Sequence, residues 1–282
     1  MKLNKPNAEF FIPDQKEVNE AIRRTTHMAI AAHQDDIEIM AYDGILKCFG
    51  KDDQWFFGVV ATNGSGSARE GSYKNYTDEE MMKVRRIEQK KAAYIVEFGA
   101  LALLDYSSGE MKDSKNKDIV KEFADLIKQA KPQVLYTHNL ADKHDTHIGL
   151  TTKVIKAIRS LDPKDRPEAL YGCEVWRDLD WMVDSEKVEF NVSDHPNIAA
   201  ALVEVFDSQI AGGKRYDLAT SGRRLSHATY ATSHKVDKAS AIIYAMDLTP
   251  LIKDDTLDVL TYTTSYIDRF KQDVSDRIKK IF

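Results

Sequence analysis

The stretch "HMAIAAHQDDIEIM", His27–Met40, joins a short apolar run to a cluster of polar, metal-competent side chains. The apolar residues of its first half predict a short buried strand, and the spacing of those that follow it predicts a helix reaching to about Gly50. Buried strands seldom end on a histidine and two adjacent aspartates. In open parallel sheets, ligands bind beyond the carboxyl ends of the strands. We therefore predict that His33, Asp35 and Asp36 belong to a functional site.

Strand-like and helix-like segments alternate over roughly the first 180 residues. After the first strand, strands are predicted at 54–62, 100–106, 133–138 and 168–176, with helices at 78–99, 116–130 and 145–161. This alternation predicts a doubly wound, mostly parallel α/β sheet with helices on both faces. Beyond it, the patterns predict a strand at 187–192, a helix at 195–210, a strand at 241–248 and a terminal helix.

Composition narrows the class of protein. The chain has 282 residues, 43% of them hydrophobic, and a formal net charge of -5. A nucleic-acid-binding protein is disfavoured because no basic excess is present. No apolar stretch approaches the ~18–20 residues that a membrane span needs, and we see no secretory signal. Cys48 and Cys173 are expected to be small buried residues. We expect a soluble cytoplasmic protein with no nucleic-acid or membrane partner.

Polar residues crowd the ends of the predicted strands. After the fourth strand come His138, Asp142, His144, Asp145 and His147. His33 and Asp36 lie three residues apart across a tight junction, and His147 would reach them from a neighbouring strand. Two histidines and one carboxylate leave an open coordination position, the arrangement of hydrolytic zinc sites. Asp35 would then be free to accept a proton from water.

Simpler interpretations of these residues exist. An Asp-Asp pair before a helix is usually an N-cap that the helix dipole supports. A lone histidine at a strand end is more often a hydrogen-bonded core residue. The H-x-D-D and H-x-x-H elements are each weak signals, but they strengthen one another because their two strands are expected to be neighbours.

Four segments resemble the PIG-L/LmbE-like family of zinc-dependent N-deacetylases. "AHQDDIE" (32–38) resembles the AHPDDE signature, and "HDTH" (144–147) resembles the second signature. The segment 84–106 is similar to the family's R-x-x-E helix and following strand, and 206–223 is similar to its Ser-Gln segment. The resemblance covers about 27–232, in the family's order.

The resemblance implies a Rossmann-like fold in one domain, 1–282, with a core at about 25–232 and a C-terminal strand-helix extension at 233–282. It implies metal-dependent removal of an acyl (acetyl) group from a small-molecule N-acyl amino sugar or conjugate. By position, His33, Asp36 and His147 would bind zinc, or another divalent metal such as iron. Asp35 would be the general base. His144 would act as a cation or hydrogen-bond donor toward the developing oxyanion.

The chain also departs from the family's pattern. Gln34 replaces the usual proline, which should only loosen the junction, and Ile37 replaces a glutamate that reappears as Glu38. Thr146 replaces an aspartate that supports the catalytic histidine, with Asp142 or Asp145 as substitutes. These departures keep a second function open: a catalytically impaired Rossmann-like protein that binds a small molecule, a sugar or a nucleotide.

Three arginines are candidates for binding substrate: Arg69, Arg85 and Arg223. A solvated side chain is the simpler interpretation for Arg69, and a helical ion pair with Glu88 is the simpler one for Arg85. Arg223 and His227 could line the mouth of the site, and the simpler interpretation is that both are ordinary polar side chains on the surface. The three tryptophans are expected in core or edge packing rather than in a sugar-stacking platform: Trp55, Trp176 and Trp181. Surface apolar residues on the terminal helix leave a homo-oligomer possible.

Overall fold

An eight-stranded mixed sheet forms the centre of the computed structural model, which describes residues 2–282. The strands are β1 (Glu9–Phe11), β2 (His27–Ala31), β3 (Phe56–Thr62), β4 (Ala100–Tyr106), β5 (Val134–His138), β6 (Ala169–Cys173), β7 (Val188–Asn191) and β8 (Ile242–Asp247). Their order in the sheet is β1-β4-β3-β2-β5-β6-β8-β7. The five strands from β4 to β6 are parallel, whereas β1 runs antiparallel to β4 and β8 antiparallel to β6 and β7. The predicted mostly parallel sheet is confirmed.

Helices cover both faces of this sheet. They are α1 (Val18–Arg23), α2 (Asp36–Met40), α3 (Tyr42–Cys48), α4 (Asp78–Ile95), α5 (Ser108–Lys112), α6 (Lys117–Ala130), α7 (Asp145–Arg159), α8 (Pro196–Glu204), α9 (Asp207–Ile210), α10 (Tyr216–Tyr230), α11 (Thr249–Lys253) and α12 (Val259–Ile281). Alternate residues of β2 enter different apolar clusters: Met28 and Ile30 join one, Ala29 and Ala31 the other. Successive strand residues face opposite sides, so both sides of the sheet are buried.

The order of the strands places the two motif-bearing strands side by side. From β2 the chain runs outward through β3 and β4, then returns to β5 on the other side of β2. His27 pairs with Val134 and Ala29 with Tyr136 in parallel register. The carboxyl ends of β2 and β5 therefore meet where the strand order reverses, which is where open α/β sheets bind ligands.

Several boundaries differ from the sequence prediction. The helix expected up to Gly50 is two helices, α2 and α3, with the break at Ala41. The helix expected at 195–210 divides into α8 and α9. The prediction contained none of the short elements β1, α1, α5 and α11, nor α10. The strand of the C-terminal extension, β8, lies within the sheet between β6 and β7.

Two expectations about single segments can be compared with the structure. Cys48 and Cys173 are buried free thiols, as predicted. Among residues 2–282, no helix combines the length and the apolar character needed to cross a membrane.

Two glycines in helices provide a matched test of the packing. An alanine Cβ at Gly149 of α7 would lie 2.6 Å from the carbonyl oxygen of Met111, whereas Gly222 of α10 has nothing within 4 Å of that position. We expect Gly149→Ala to lower the free energy of unfolding by about 1–3 kcal/mol. Gly222→Ala should raise it by about 0.5–1 kcal/mol, because alanine favours a helix interior. Urea unfolding measures both, and shifts of the same sign would contradict the packing at α5.

Candidate active site

The junction between β2 and α2 has an unusual backbone. Asp35 has a φ of 91° and precedes α2, but its side chain makes no capping hydrogen bond. Its carboxylate instead accepts a hydrogen bond from Nη2 of Arg85 at 3.0 Å, so the N-cap interpretation is wrong for Asp35. Gln34 donates through Nε2 to the carbonyl oxygen of Thr62 at 2.9 Å and ties the junction to β3 rather than loosening it. Positive φ at a non-glycine residue is strained, and such strain concentrates at functional sites.

Three donor atoms from β2–α2 and α7 form a small triangle. His33 Nδ1 lies 3.2 Å from Asp36 Oδ2 and 3.1 Å from His147 Nε2, and the third side, His147 Nε2 to Asp36 Oδ2, is 3.4 Å. Tetrahedral zinc, with bonds of about 2.0–2.1 Å, separates its ligand atoms by about 3.3 Å. The structure thus brings the three predicted ligands together at the spacing of one tetrahedral ion.

Two more histidines surround this triangle, giving two overlapping groups that could hold a metal ion: His33, His144 and His147, and Asp36, His138 and His147. The Nε2 atom of His138 accepts the backbone N–H of Ala32 at 2.9 Å, so its lone pair is already used. The Nδ1 atom of His144 accepts the N–H of Thr146 at 3.3 Å. Asp36 Oδ2 also accepts the backbone N–H of His33 at 2.7 Å, but a carboxylate oxygen has a second lone pair. The donors with a lone pair left for an ion are therefore those of His33, Asp36 and His147.

Asp142 contacts His147 of α7. Its Oδ2 lies 3.3 Å from Nδ1 of His147, and its two oxygens accept the backbone N–H groups of His144 and Trp176 at 3.0 and 3.2 Å. Although burial opposes the charged ring, Asp36 and Asp142 raise the pKa of His147 to about 9. A carboxylate on the far nitrogen of a histidine is the usual support of a metal ligand. Of the two proposed substitutes, Asp142 supports the ring of His147 rather than that of His144, and Asp145 is exposed.

A buried arginine holds Asp35 in place. Arg85 on α4 contacts Asp35 and also Glu88, whose Oε2 lies 3.4 Å from its Nη1. Glu88 in turn accepts the N–H and the hydroxyl of Ser208, both at 2.7 Å. Burial raises the pKa of Asp35 to about 6, although the Arg85 guanidinium works in the opposite direction. The Arg-x-x-Glu helix and the Ser-Gln segment, more than 100 residues apart in the chain, therefore meet behind Asp35.

Glu38 reaches the same aspartate through an amide. Its Oε1 accepts a hydrogen bond from Nε2 of Gln89 at 2.7 Å, and Oε1 of Gln89 lies 3.3 Å from the backbone N of Asp35. Burial raises the pKa of Glu38 to about 8. The glutamate displaced by one position thus helps to fix the backbone at Asp35.

A cleft of about 530 Å³ opens onto the donor triangle and Asp35. Its lining includes six predicted site residues: His33, Asp35, Asp36, Arg85, His144 and Arg223. Residues from four other parts of the chain also line it: Gly64 and Ser67, Ser108 and Lys112, Trp176, and Gln209, Lys214 and Tyr216. His147 is fully buried beneath the cleft. The cleft gives a small molecule direct access to His33, Asp36 and Asp35 together.

Comparison with known proteins finds a family model that matches part of the chain. The sequence model of PIG-L, described as GlcNAc-PI de-N-acetylase, matches residues 28–158, a range that contains His33, Asp35, Asp36, His144 and His147. Slightly less than half of the chain is thus similar to the PIG-L family. A search of curated proteins gives no significant match.

Solved structures share the fold of this protein at low sequence identity. N,N'-diacetylchitobiose deacetylase from Pyrococcus horikoshii is 12% identical, with a TM-score of 0.65 over 88% of this chain and 92% of that one. The A40926 pseudoaglycone deacetylase is 13% identical, with a TM-score of 0.58 over 79% and 97%. The 4-carboxy-2-hydroxymuconate hydratase of Pseudomonas putida KT2440 is 16% identical, with a TM-score of 0.59 over 79% and 95%. The fold therefore carries both deacetylases and a hydratase.

Sequence reasoning misplaced some residues of the site and missed others. Among the described residues, those lining the cleft do not include Arg69, which donates to the carbonyl oxygen of Ser65 and to Asp78, both at 2.6 Å. His227 is neither at the mouth nor on the surface, because it is buried 3.0 Å from Glu174. The lining residues that the prediction also missed include Lys112, Trp176, Lys214 and Tyr216. The only sequence signal for two of these was the resemblance over 206–223.

Proposed function

We propose that the protein is a metal-dependent hydrolase that removes an acyl group, the acetyl group in particular, from an N-acyl amino sugar or amino-sugar conjugate. The observation that carries this proposal is the triangle of His33, Asp36 and His147 with Asp35 directly beside it. The family description and the two deacetylases that share the fold support the same chemistry.

His33, Asp36 and His147 would hold the metal. Two imidazoles and one carboxylate suit zinc and also iron, and the donor spacing favours a tetrahedral ion. When bound there, zinc would supply a Lewis acid and lower the pKa of a water ligand to about 7. The Asp142 contact would keep the His147 proton on Nδ1, leaving Nε2 free to bind the ion.

Asp35 would act as the base and then as the acid. It would accept a proton from the attacking water while the water oxygen bonds to the amide carbonyl carbon. When the C–N bond breaks, the same carboxyl would return the proton to the departing amine, so that the products are a carboxylic acid and an amino sugar. Arg85 would keep the carboxylate oriented toward the cleft.

His144 would donate a hydrogen bond to the developing oxyanion. Burial, and then the nearby His147, lower the pKa of His144, which favours the neutral ring. Because its Nδ1 accepts the Thr146 N–H, the proton of the neutral ring lies on Nε2. A hydrogen-bond donor therefore fits this position better than the cation also expected from the resemblance. One preorganised donor of this kind contributes about 3–4 kcal/mol to catalysis.

The test combines metal analysis with acetate release. Purified protein loaded with zinc should release acetate from N-acetylglucosamine derivatives. His147→Ala should lose both the metal, measured by elemental analysis, and about three orders of magnitude in rate, because a Lewis acid contributes several kcal/mol.

The exposed His234 provides the matched control, since His234→Ala should change neither metal content nor rate. Circular dichroism would verify the fold of both variants. Zinc-loaded wild-type protein that is inert toward a broad panel of N-acyl compounds would favour the impaired binding protein instead.

A second candidate is addition of water to a carbon–carbon double bond of a carboxylate substrate. The hydratase that shares the fold motivates it, and the observation that favours it is the set of basic residues lining the cleft: Lys112, Lys214 and Arg223. Loss of the ultraviolet absorbance of 4-carboxy-2-hydroxymuconate, without acetate release from amino sugars, would select this function.

A further inference from the structure

The charges lining the cleft are unbalanced. Its acidic residues are both committed, Asp35 to the Arg85 guanidinium and Asp36 to the proposed metal site. Three further lining residues are cations, here called the basic rim: Lys112, Lys214 and Arg223. Within residues 2–282, none of the three forms an ion pair with a carboxylate. The basic rim therefore presents uncompensated positive charge to whatever enters the cleft.

Two members of the basic rim flank the same wall of the cleft. Arg223 donates through Nη1 to the carbonyl oxygen of Val175 at 2.6 Å, and the Lys214 ammonium lies 5.1 Å from the centre of the Trp176 ring. The backbone N–H of Trp176 donates to Asp142, which also supports the ligand His147. The positions of these two charges are thus linked to the proposed metal site.

The third member lies on a short helix that is held firmly. Lys153 is buried, and its ammonium donates to the carbonyl oxygens of Met111 and Asp113 at 2.7 and 2.8 Å, on either side of Lys112. The close approach of Gly149 to Met111 fixes the same segment. The backbone that carries Lys112 is therefore anchored beside the cleft, and only its side chain extends into the solvent.

The sign of this local charge opposes that of the whole chain. The protein carries a net charge of -5, yet the cleft that contains the proposed catalytic residues is bordered by positive charge. A field concentrated in a cleft attracts ligands of opposite charge whatever the net charge of the protein. The hydroxyl groups of a neutral sugar can accept hydrogen bonds from these cations, but a carboxylate or phosphate would form stronger ones, because both partners are then charged.

We propose that the basic rim binds an anionic substituent, a carboxylate or a phosphate, of the substrate. That the anion belongs to an amino sugar rests on the proposed function, whereas the binding of an anion at the rim does not. The anion would be bound at the rim while the N-acyl group reaches Asp35 and the metal ligands.

The experiment measures binding of reaction products, so that it does not depend on turnover. Isothermal titration calorimetry of the zinc-loaded full-length protein would compare three α-glycosides of glucosamine: the methyl glycoside, the carboxymethyl glycoside and the 1-phosphate. We expect one or both anionic ligands to bind at least about tenfold more tightly than the methyl glycoside, and the advantage to shrink at high salt. Comparing the two anionic ligands distinguishes carboxylate from phosphate.

Lys112 and Lys214 of the basic rim are exposed, so replacing them should not disturb the fold. Lys112→Gln/Lys214→Gln should reduce the anionic advantage to about threefold or less, whereas the exposed pair in Lys128→Gln/Lys156→Gln, outside the cleft, should leave it intact. Equal affinity for all three ligands would overturn the proposal. An advantage that survives Lys112→Gln/Lys214→Gln would also overturn it, because the anion would then be binding elsewhere, for example directly to the metal. Anion preference without acetate release would instead refute only the proposed function.

Discussion

Replacement of Asp35 by asparagine should lower kcat for acetate release by about 10²–10⁴-fold while the metal stays bound. Asparagine has nearly the same shape and tolerates the positive φ at this position, but it cannot accept a proton from water. The change leaves the proposed metal ligands His33, Asp36 and His147 in place. The measurements are kcat by acetate release and the zinc content of the purified variant.

Asp145 offers a control for Asp35→Asn. Asp145 is an exposed aspartate at the start of α7, between His144 and His147 in the sequence. Asp145→Asn removes the same charge as Asp35→Asn. It should keep activity within about threefold of the wild type, the ordinary size of a surface charge effect. If Asp35→Asn retained more than a tenth of the wild-type kcat, or lost its zinc, Asp35 would not be the base.

The central strands could be predicted from the sequence because they are buried on both faces. Ala100–Tyr106 was predicted with the bounds of β4, since a continuous apolar run between two helical patterns has few other interpretations. Short elements gave no such signal. β1 has three residues and α5 has five, fewer than any periodicity can reveal. The break at Ala41 gave no sequence signal either, and Gly44 of α3 lies directly against the ring of Tyr136 on β5, a long-range contact that no local pattern records.

The grouping of the three candidate metal ligands could be predicted for a topological reason. His33 and Asp36 follow one central strand and His147 follows the next one across the switch point, so parallel pairing alone brings them together. The i,i+3 contact of Arg85 with Glu88 was also predictable from helix geometry. Its contact with Asp35, 50 residues away, was not, because no local pattern records a long-range pairing.

The walls of the cleft lay beyond sequence reasoning for a different reason. Lys214 lies in the loop between α9 and α10, and Trp176 follows β6 outside any regular element. Their positions depend on how loops pack over the sheet, which hydrophobic periodicity does not describe. The Trp176 side chain lines the cleft instead of serving only core or edge packing.

Replacement of Arg85 by methionine should lower the free energy of unfolding by about 3–5 kcal/mol. The Arg85 side chain is buried and contacts two buried carboxylates, and its removal leaves both without their cation. Glu88 would keep the two hydrogen bonds from Ser208, so the larger cost should fall on Asp35. Urea unfolding with an unchanged m value would measure the loss.

Arg86, the next residue on the same helix, allows the buried Arg85 to be compared with a more exposed arginine. Arg86 also contacts two carboxylates, Glu9 and Asp105, but its side chain is 26% exposed. Arg86→Met should therefore cost only about 0–1 kcal/mol per ion pair lost. Adding Asp35→Asn to Arg85→Met should recover about 1 kcal/mol or more, because the uncompensated charge disappears. Equal losses for the two single variants, or no recovery in the double variant, would mean that Arg85 stabilises the fold by packing and not by balancing the charge of Asp35.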